Sequence, residues 1–146
     1  MNKNTVNLVN EYIANIGVSY IKMHNLHWNV VGTQFKAVHE FLESIYDAYA
    51  DVLDETAEIL RMHDEMPAAS LAQYLKLATI QELDSKEVSI KESIEITLAD
   101  MELLKEQTLK IRESADKEDA FDLVAMMEDH ISNYNKNIWF LKSMLK

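Results

Sequence analysis

Apolar residues recur every three or four positions through most of the chain, and that spacing divides it into four long helical segments. The first runs from about Thr5 to Val31, with Val9, Ile13, Ile16, Tyr20, Met23 and His27 on one face. Gly32 stops it, and Thr33 is placed to cap a second segment ending near Met62. The apolar face of that segment holds Phe41, Leu42, Ile45, Tyr49, Val52, Leu53, Ile59 and Leu60. The pattern breaks from His63 to Leu83, apart from a short helix opened by "SLAQ", where Ser70 and Gln73 fit a capping box. "DSKE", at Asp84 to Glu87, reads as the start of a third long helix that carries Ile90, Ile94, Leu98, Met101, Leu104 and Ile111 and ends near Ser114. Leu123, Met127, His130, Tyr134, Ile138, Leu141 and Leu145 mark the fourth.

Segments of this size span roughly 40 Å at 1.5 Å per residue, which matches them for lateral packing in a bundle. The first and second are joined by a short turn, as are the third and fourth. The middle link, at about twenty residues, is long enough at ~3.3 Å per residue to run the length of the bundle. The expected fold is all-α: one domain over residues 1–146, a four-helix bundle with a short helix in the long crossover between the second and third helices. That is the connectivity of ferritin-like bundles.

Composition agrees with helices. Two glycines and one proline, Pro67, leave few turn signals, while 48% of residues are hydrophobic. The absence of cysteine excludes a disulfide framework. No stretch approaches the ~18 apolar residues of a membrane span, and "MNKNTVNLVNEYIANIG" lacks the features of a signal peptide, so a cytoplasmic protein without a membrane partner is expected. Twenty-five acidic against fourteen basic residues give a formal charge of −11, which favours cations over phosphate backbones as partners. The ends, "MNKNTVN" and "LKSMLK", offer few cations, so DNA binding is not expected.

The second helix carries polar chemistry on one stripe. With His39 at zero, Glu43 falls near 40°, Asp54 near 60° and Glu58 near 100°, whereas the apolar positions lie between about 200° and 320°. His39 with Glu43, and Asp54 with Glu58, are i,i+4 pairs, each able to grip one cation. The pairs are separated by about 22 Å along the axis, so one chain cannot close both on the same ion. The four positions are, however, symmetric about a point between Ala48 and Tyr49. An antiparallel copy of the helix in a two-fold dimer lays His39 opposite Glu58 and Glu43 opposite Asp54, and the small Ala50 permits close approach. His27, on the neighbouring helix, can supply a second imidazole. Two nitrogens and three carboxylates suit a divalent transition metal, with iron the leading candidate, better than calcium or magnesium. A bundle-core di-iron site is not expected, because no histidine is preceded by glutamate at three residues.

The segment "MHNLHWNVVGTQFKAVHEFLESIYDAYADVLDETAE" resembles the signature of the Dps family, the mini-ferritins that assemble as twelve-subunit cages, and the likeness continues through "EMPAASLAQYL" to "NKNIWFLKSML". The resemblance implies that His27 and His39 are ferroxidase histidines and that Asp54 and Glu58 are acids supplied by the dyad-related subunit. Glu43 stands where the family usually has aspartate, and Ile59 where arginine is common. The implied function is to bind Fe(II) at the dimer interface, oxidise it with hydrogen peroxide or oxygen, store ferric oxide in a dodecameric cage and so limit oxidative damage. Two adjacent irons deliver two electrons to peroxide together, avoiding the hydroxyl radical released by one-electron transfer. Five protein ligands are few for two irons, which implies one tight site and one weaker, with Glu58 the best bridge. The alternatives are a nucleoid-binding member of the same family and a helical interaction module without catalysis.

Other notable residues have plainer expectations. His24 fits a hydrogen-bonded interface histidine or a helper of a second metal or water, and Trp28 a packing role ahead of electron donation. His130, on an apolar face, fits a satisfied buried histidine, and His63 fits a helix end, near its carbonyls. Eight methionines read as core filler. Asp116, Glu118, Asp119 and Asp122 surround a helix start, where acids cap free N–H groups; acids there can also line pores that draw cations into a cage.

Overall fold

The computed structural model describes residues 1–146 and contains four long helices, α1 (Lys3–Asn29), α2 (Phe35–Met62), α4 (Ile90–Lys117) and α5 (Phe121–Met144), with a short α3 (Leu71–Leu77) in the crossover. Two-residue strands β1 (Val30–Val31) and β2 (Val88–Ser89) pair in parallel. That bridge places the end of α1 beside the start of α4, so these two helices run antiparallel, as do α1 and α2 through their hairpin. Helices α2 and α4 therefore run parallel, and the crossover returns the chain along the bundle. The architecture is the ferritin-like four-helix bundle with an added short helix.

The periodic positions form the core. Val9, Ile13, Ile16, Met23, Leu42, Ile45, Ile59, Leu60, Met101, Leu104, Ile111, Leu123, Met127 and Leu141 are buried in one continuous apolar cluster. Helix α1 packs on α2, α4 on α5, and α1 on both α4 and α3.

Two helix starts differ from the sequence reading. Thr33 does not cap α2: the cap position is Gln34, which makes no side-chain cap bond. Gly32, at φ 140°, turns the chain here, and a Cβ on it would meet Ile90 Cγ1 at 2.8 Å. The "DSKE" segment lies outside α4. Val88 is first held extended against Val30, so Ser89 becomes the cap and accepts from the Glu92 amide at 3.1 Å. The Ser70 cap is present, and Gln73 Oε1 reaches back to the Ala69 amide at 2.9 Å.

Three α1 asparagines fasten the crossover to the bundle. Asn10 accepts from the Ala68 amide at 2.7 Å, and Asn25 donates to the carbonyls of Leu83 and Asp84. Asn15, fully buried, accepts from the amides of both Thr79 and Ile80 at 2.8 and 2.9 Å. Replacing Asn15 with alanine leaves two amides short of an acceptor, each costing about 1–3 kcal/mol where water does not reach it. The Asn15→Ala chain is expected to lose its urea unfolding midpoint measurably, while Asn25→Ala, whose carbonyl partners sit nearer solvent, loses little.

Candidate metal site

The Gly32 turn folds the last turn of α1 onto the first turns of α2 and brings His27 against His39. The contact is reciprocal: His27 Nδ1–H donates to the His39 carbonyl at 2.6 Å, and His39 Nδ1–H donates to the His27 carbonyl at 2.7 Å. The rings stack at 3.6 Å with 12° between planes, and Phe35 stacks on the outer face of His39. A carbonyl can only accept, so each ring carries a proton on Nδ1, and in the neutral imidazole the lone pair is left on Nε2. Neutral imidazoles fixed in that tautomer are prepared to bind a metal through Nε2, with the backbone carbonyls holding their orientation.

Glu43, one turn beyond His39 on α2, puts Oε1 3.8 Å from His27 Nε2. Its side chain is about half exposed, whereas that of His27 is 7% exposed. Tyr46 donates to Glu43 Oε1 at 3.2 Å. Burial, then the Glu43 carboxylate, push the Tyr46 phenol up, so it remains a donor. This Tyr46 contact was not anticipated from sequence, although its i,i+3 spacing from Glu43 would have allowed it. His24, stacked on Tyr46 at 3.7 Å, donates through Nδ1–H to the Tyr20 carbonyl and takes no part in the cluster.

Asp54 and Glu58 lie about three and four turns beyond Glu43 along α2, exposed on its surface. The structure thus gathers His27, His39 and Glu43 at one end of the helix and leaves Asp54 and Glu58 toward the other. Within one chain no three His, Asp or Glu side chains converge closely enough to hold an ion. Between the two groups α2 exposes Asp47, Ala50 and Asp51. The stripe is therefore acidic along its length, a surface that attracts cations and resists an uncompensated second copy.

The remaining histidines, and Asp122 and Glu118 among the acids, have structural partners. His130 is buried between Tyr12 and Glu55. His63 does not serve the α2 carbonyls, as the sequence suggested, but pairs across to Asp122 at the start of α5, with Nε2 2.9 Å from Oδ2. Burial pushes the Asp122 carboxyl up, but the His63 hydrogen bond and the Leu123 amide outweigh it and hold the group below the usual carboxylate range. Its stabilising contribution is thus present above that range and lost as pH falls through the lowered value. Glu118 is committed to α1, accepting from the Asn2 amide and the Thr5 hydroxyl at 3.1 Å.

Comparison with known proteins places this geometry in context. Residues 6–146 match the family model described as a ferritin-like domain. The chain is 30% identical to the DNA protection during starvation protein of Helicobacter pylori over 141 residues, covering 97% of this chain and 98% of that protein. It is similar to the crystal structure of a Dps protein from Bacillus brevis, with TM-score 0.94, 30% identity and complete coverage of both chains. A Dps protein from Vibrio cholerae, described as a member of a broad superfamily of ferritin-like diiron-carboxylate proteins, matches with TM-score 0.94 and 29% identity, covering 99% of this chain and 90% of that one. No helix is long and apolar enough to cross a membrane.

Proposed function

The chain belongs to the Dps family of ferritin-like mini-ferritins, and from that premise we propose that it is a ferroxidase and iron store. It binds Fe(II) at sites shared between two-fold-related copies, oxidises it with hydrogen peroxide or oxygen, and holds the ferric product within a dodecamer. The whole chain, 1–146, acts as one domain, and its place of action is the cytoplasm. The observation that carries this reading is the tautomer lock of His27 and His39, two Nε2 lone pairs beside Glu43, on a helix whose mirror positions carry Asp54 and Glu58.

Iron is the substrate. His27, His39 and Glu43 from one subunit with Asp54 and Glu58 from its partner supply two nitrogens and three carboxylates, a mixed set that suits Fe(II). Glu58 bridges two ions, and Glu43, longer than aspartate, keeps the carboxylate within reach of the first. Paired irons give up two electrons together, so peroxide is reduced without release of a hydroxyl radical. The formal charge of −11 raises the local concentration of cations at low ionic strength. The dimer contact draws on exposed apolar residues outside the acidic stripe, among them Ile21, Leu71 and Leu75, which leave a monomer with surface to cover.

The relatives' names refer to DNA protection. In this chain the protection is assigned to removal of Fe(II) and peroxide, because an acidic body gains little counterion release on a duplex. The reading is tested by mixing anaerobic Fe(II) with the purified protein and adding peroxide or oxygen. Ferric absorbance should rise with about two Fe(II) consumed per peroxide, as a two-metal site requires, and without hydroxyl spin adducts. A protein that leaves Fe(II) oxidation at the buffer rate is instead a helical interaction module.

A further inference from the structure

Away from these half-sites, four side chains from three helices form a directed hydrogen-bond chain inside the bundle. Tyr134 Oη lies 2.5 Å from Tyr12 Oη, Tyr12 Oη lies 3.1 Å from His130 Nδ1, and His130 Nε2 lies 2.5 Å from Glu55 Oε1. Tyr12 comes from α1, His130 and Tyr134 from α5, and Glu55 from α2. Tyr12 is fully buried, and His130 and Tyr134 nearly so. The protons can be placed by counting donors. The Glu55 carboxylate only accepts, so His130 carries a proton on Nε2, and with the ring neutral its Nδ1 lone pair faces the Tyr12 hydroxyl. The single Tyr12 O–H is then committed to His130, and Tyr134 donates to the Tyr12 oxygen.

This order is more specific than burial requires. Burial pushes both phenols far above the ordinary tyrosine range, so neither ionises on its own. A phenol that loses an electron becomes a strong acid and must lose its proton in the same step, which needs a base already in contact. His130 is that base, and Glu55 stands ready to pair with the imidazolium. A cavity of about 310 Å³ between α2 and α5 is lined by His130, Tyr134 and Tyr49, whose hydroxyl is buried without a partner. Glu55 directly follows Asp54 along α2 and points about 100° away from it around the helix, toward His130.

We propose that Tyr12 is a redox-active tyrosine that gives one electron to a peroxide-derived oxidant of the hydroxyl-radical class while its phenolic proton passes to His130 Nδ1. The oxidant takes the electron and leaves as hydroxide. Tyr12 becomes a neutral phenoxyl radical hydrogen-bonded by Tyr134 and by the new imidazolium, and Glu55 stays a carboxylate throughout. A later Fe(II) returns one electron, becoming Fe(III), and His130 returns the proton to the Tyr12 oxygen. The net effect is to turn a stray one-electron oxidant into hydroxide at the expense of one Fe(II). The source of the oxidant rests on the iron and peroxide reading above; the redox capacity of Tyr12 does not.

The test therefore has an iron-free arm. Assembled iron-free protein containing ring-deuterated tyrosine is oxidised with a photogenerated ruthenium(III) polypyridyl complex and frozen for electron paramagnetic resonance. A second arm freezes Fe(II)-loaded protein after peroxide addition, with ferric absorbance read in parallel. A tyrosyl signal is expected in both arms. Tyr12→Phe should lose most of it with ferric formation unchanged, His130→Gln should lose it likewise, and Tyr46→Phe should keep it. Nuclear double resonance on the wild-type radical should show an exchangeable hydrogen bond from an imidazole, a readout that requires no variant to fold. An undiminished signal in Tyr12→Phe, a signal lost in Tyr46→Phe instead, or a wild-type radical without that hydrogen bond overturns the proposal. If the wild-type protein forms no ferric iron, the iron reading fails while the ruthenium arm still decides Tyr12.

Discussion

Alanine at both His39 and Glu43 is expected to lower ferrous oxidation by at least about 100-fold, and alanine at both Asp54 and Glu58 by a similar factor, with the assembled size of each variant unchanged. Removal of outer partners of metal ligands alone costs roughly 10–100-fold, and these substitutions remove the ligands themselves. Both pairs are on the surface of α2, outside the apolar core, so stability should change little. The exception is local: without His39 the His27 carbonyl loses its donor, and the His27 ring loses its stacked neighbour. Stopped-flow oxidation with peroxide, beside light scattering for assembly, reads both effects. Retained activity in either variant removes that pair from the site.

The largest expected loss of stability comes from a buried ion pair. Lys22 of α1 sits 2.7 Å from Asp100 of α4, with 6% and 14% of their side chains exposed. Lys22→Met strands the carboxylate in the bundle and is expected to destabilise the fold by about 3–5 kcal/mol. Adding Asp100→Leu should recover much of that loss, because two apolar side chains replace the pair without an uncompensated charge. The pH dependence has a definite sign. Burial pushes the Asp100 carboxyl up and Lys22 only partly pulls it back, leaving it above the ordinary value. Its favourable contribution is therefore complete below the ordinary carboxylate range and lost as pH rises through the raised value. Removing Lys22 takes away the opposing charge, so the Lys22→Met deficit should be largest near neutral pH and shrink in acid. Urea unfolding of the single and double variants at both pH values checks this, and an equal deficit at the two would contradict it.

Much of the bundle was legible because its signal is periodic. The spacing of Val9, Ile13, Ile16 and Met23, like that of Met101, Leu104 and Ile111, predicted faces that are buried in the structure. Helix starts were legible only where the cap was local. Ser70 and Gln73 interact within four residues, whereas the start of α4 depends on Val88 pairing with Val30, a contact between distant parts of the chain. The anchoring by Asn10, Asn15 and Asn25 left no pattern for the same reason: their partners are backbone groups of an irregular crossover.

The candidate site divides in the same way. The stripe of His39, Glu43, Asp54 and Glu58 follows from helical geometry alone, and the hairpin at Gly32 brings His27 to it. The reciprocal bonds that fix both tautomers depend on how that turn positions two carbonyls, which no spacing reveals. His130 was readable as a buried, satisfied histidine, but its partners, Tyr12 and Glu55, come from helices remote in sequence. The pairing of His63 with Asp122 likewise joins the end of α2 to the start of α5, two points that only the closed bundle brings together.

The central claim, that each site takes His27, His39 and Glu43 from one subunit and Asp54 and Glu58 from its two-fold partner, is tested most directly by complementation. The two inactive double variants, carrying distinct tags, are dissociated, mixed in equal amounts and reassembled. Half of the resulting dimers are mixed under random pairing, and each mixed dimer holds one intact and one doubly damaged site, so activity should return to about a quarter of wild type for an isologous interface. Verified co-assembly with activity no higher than that of either parent would contradict the shared site and return the search to a site within one chain.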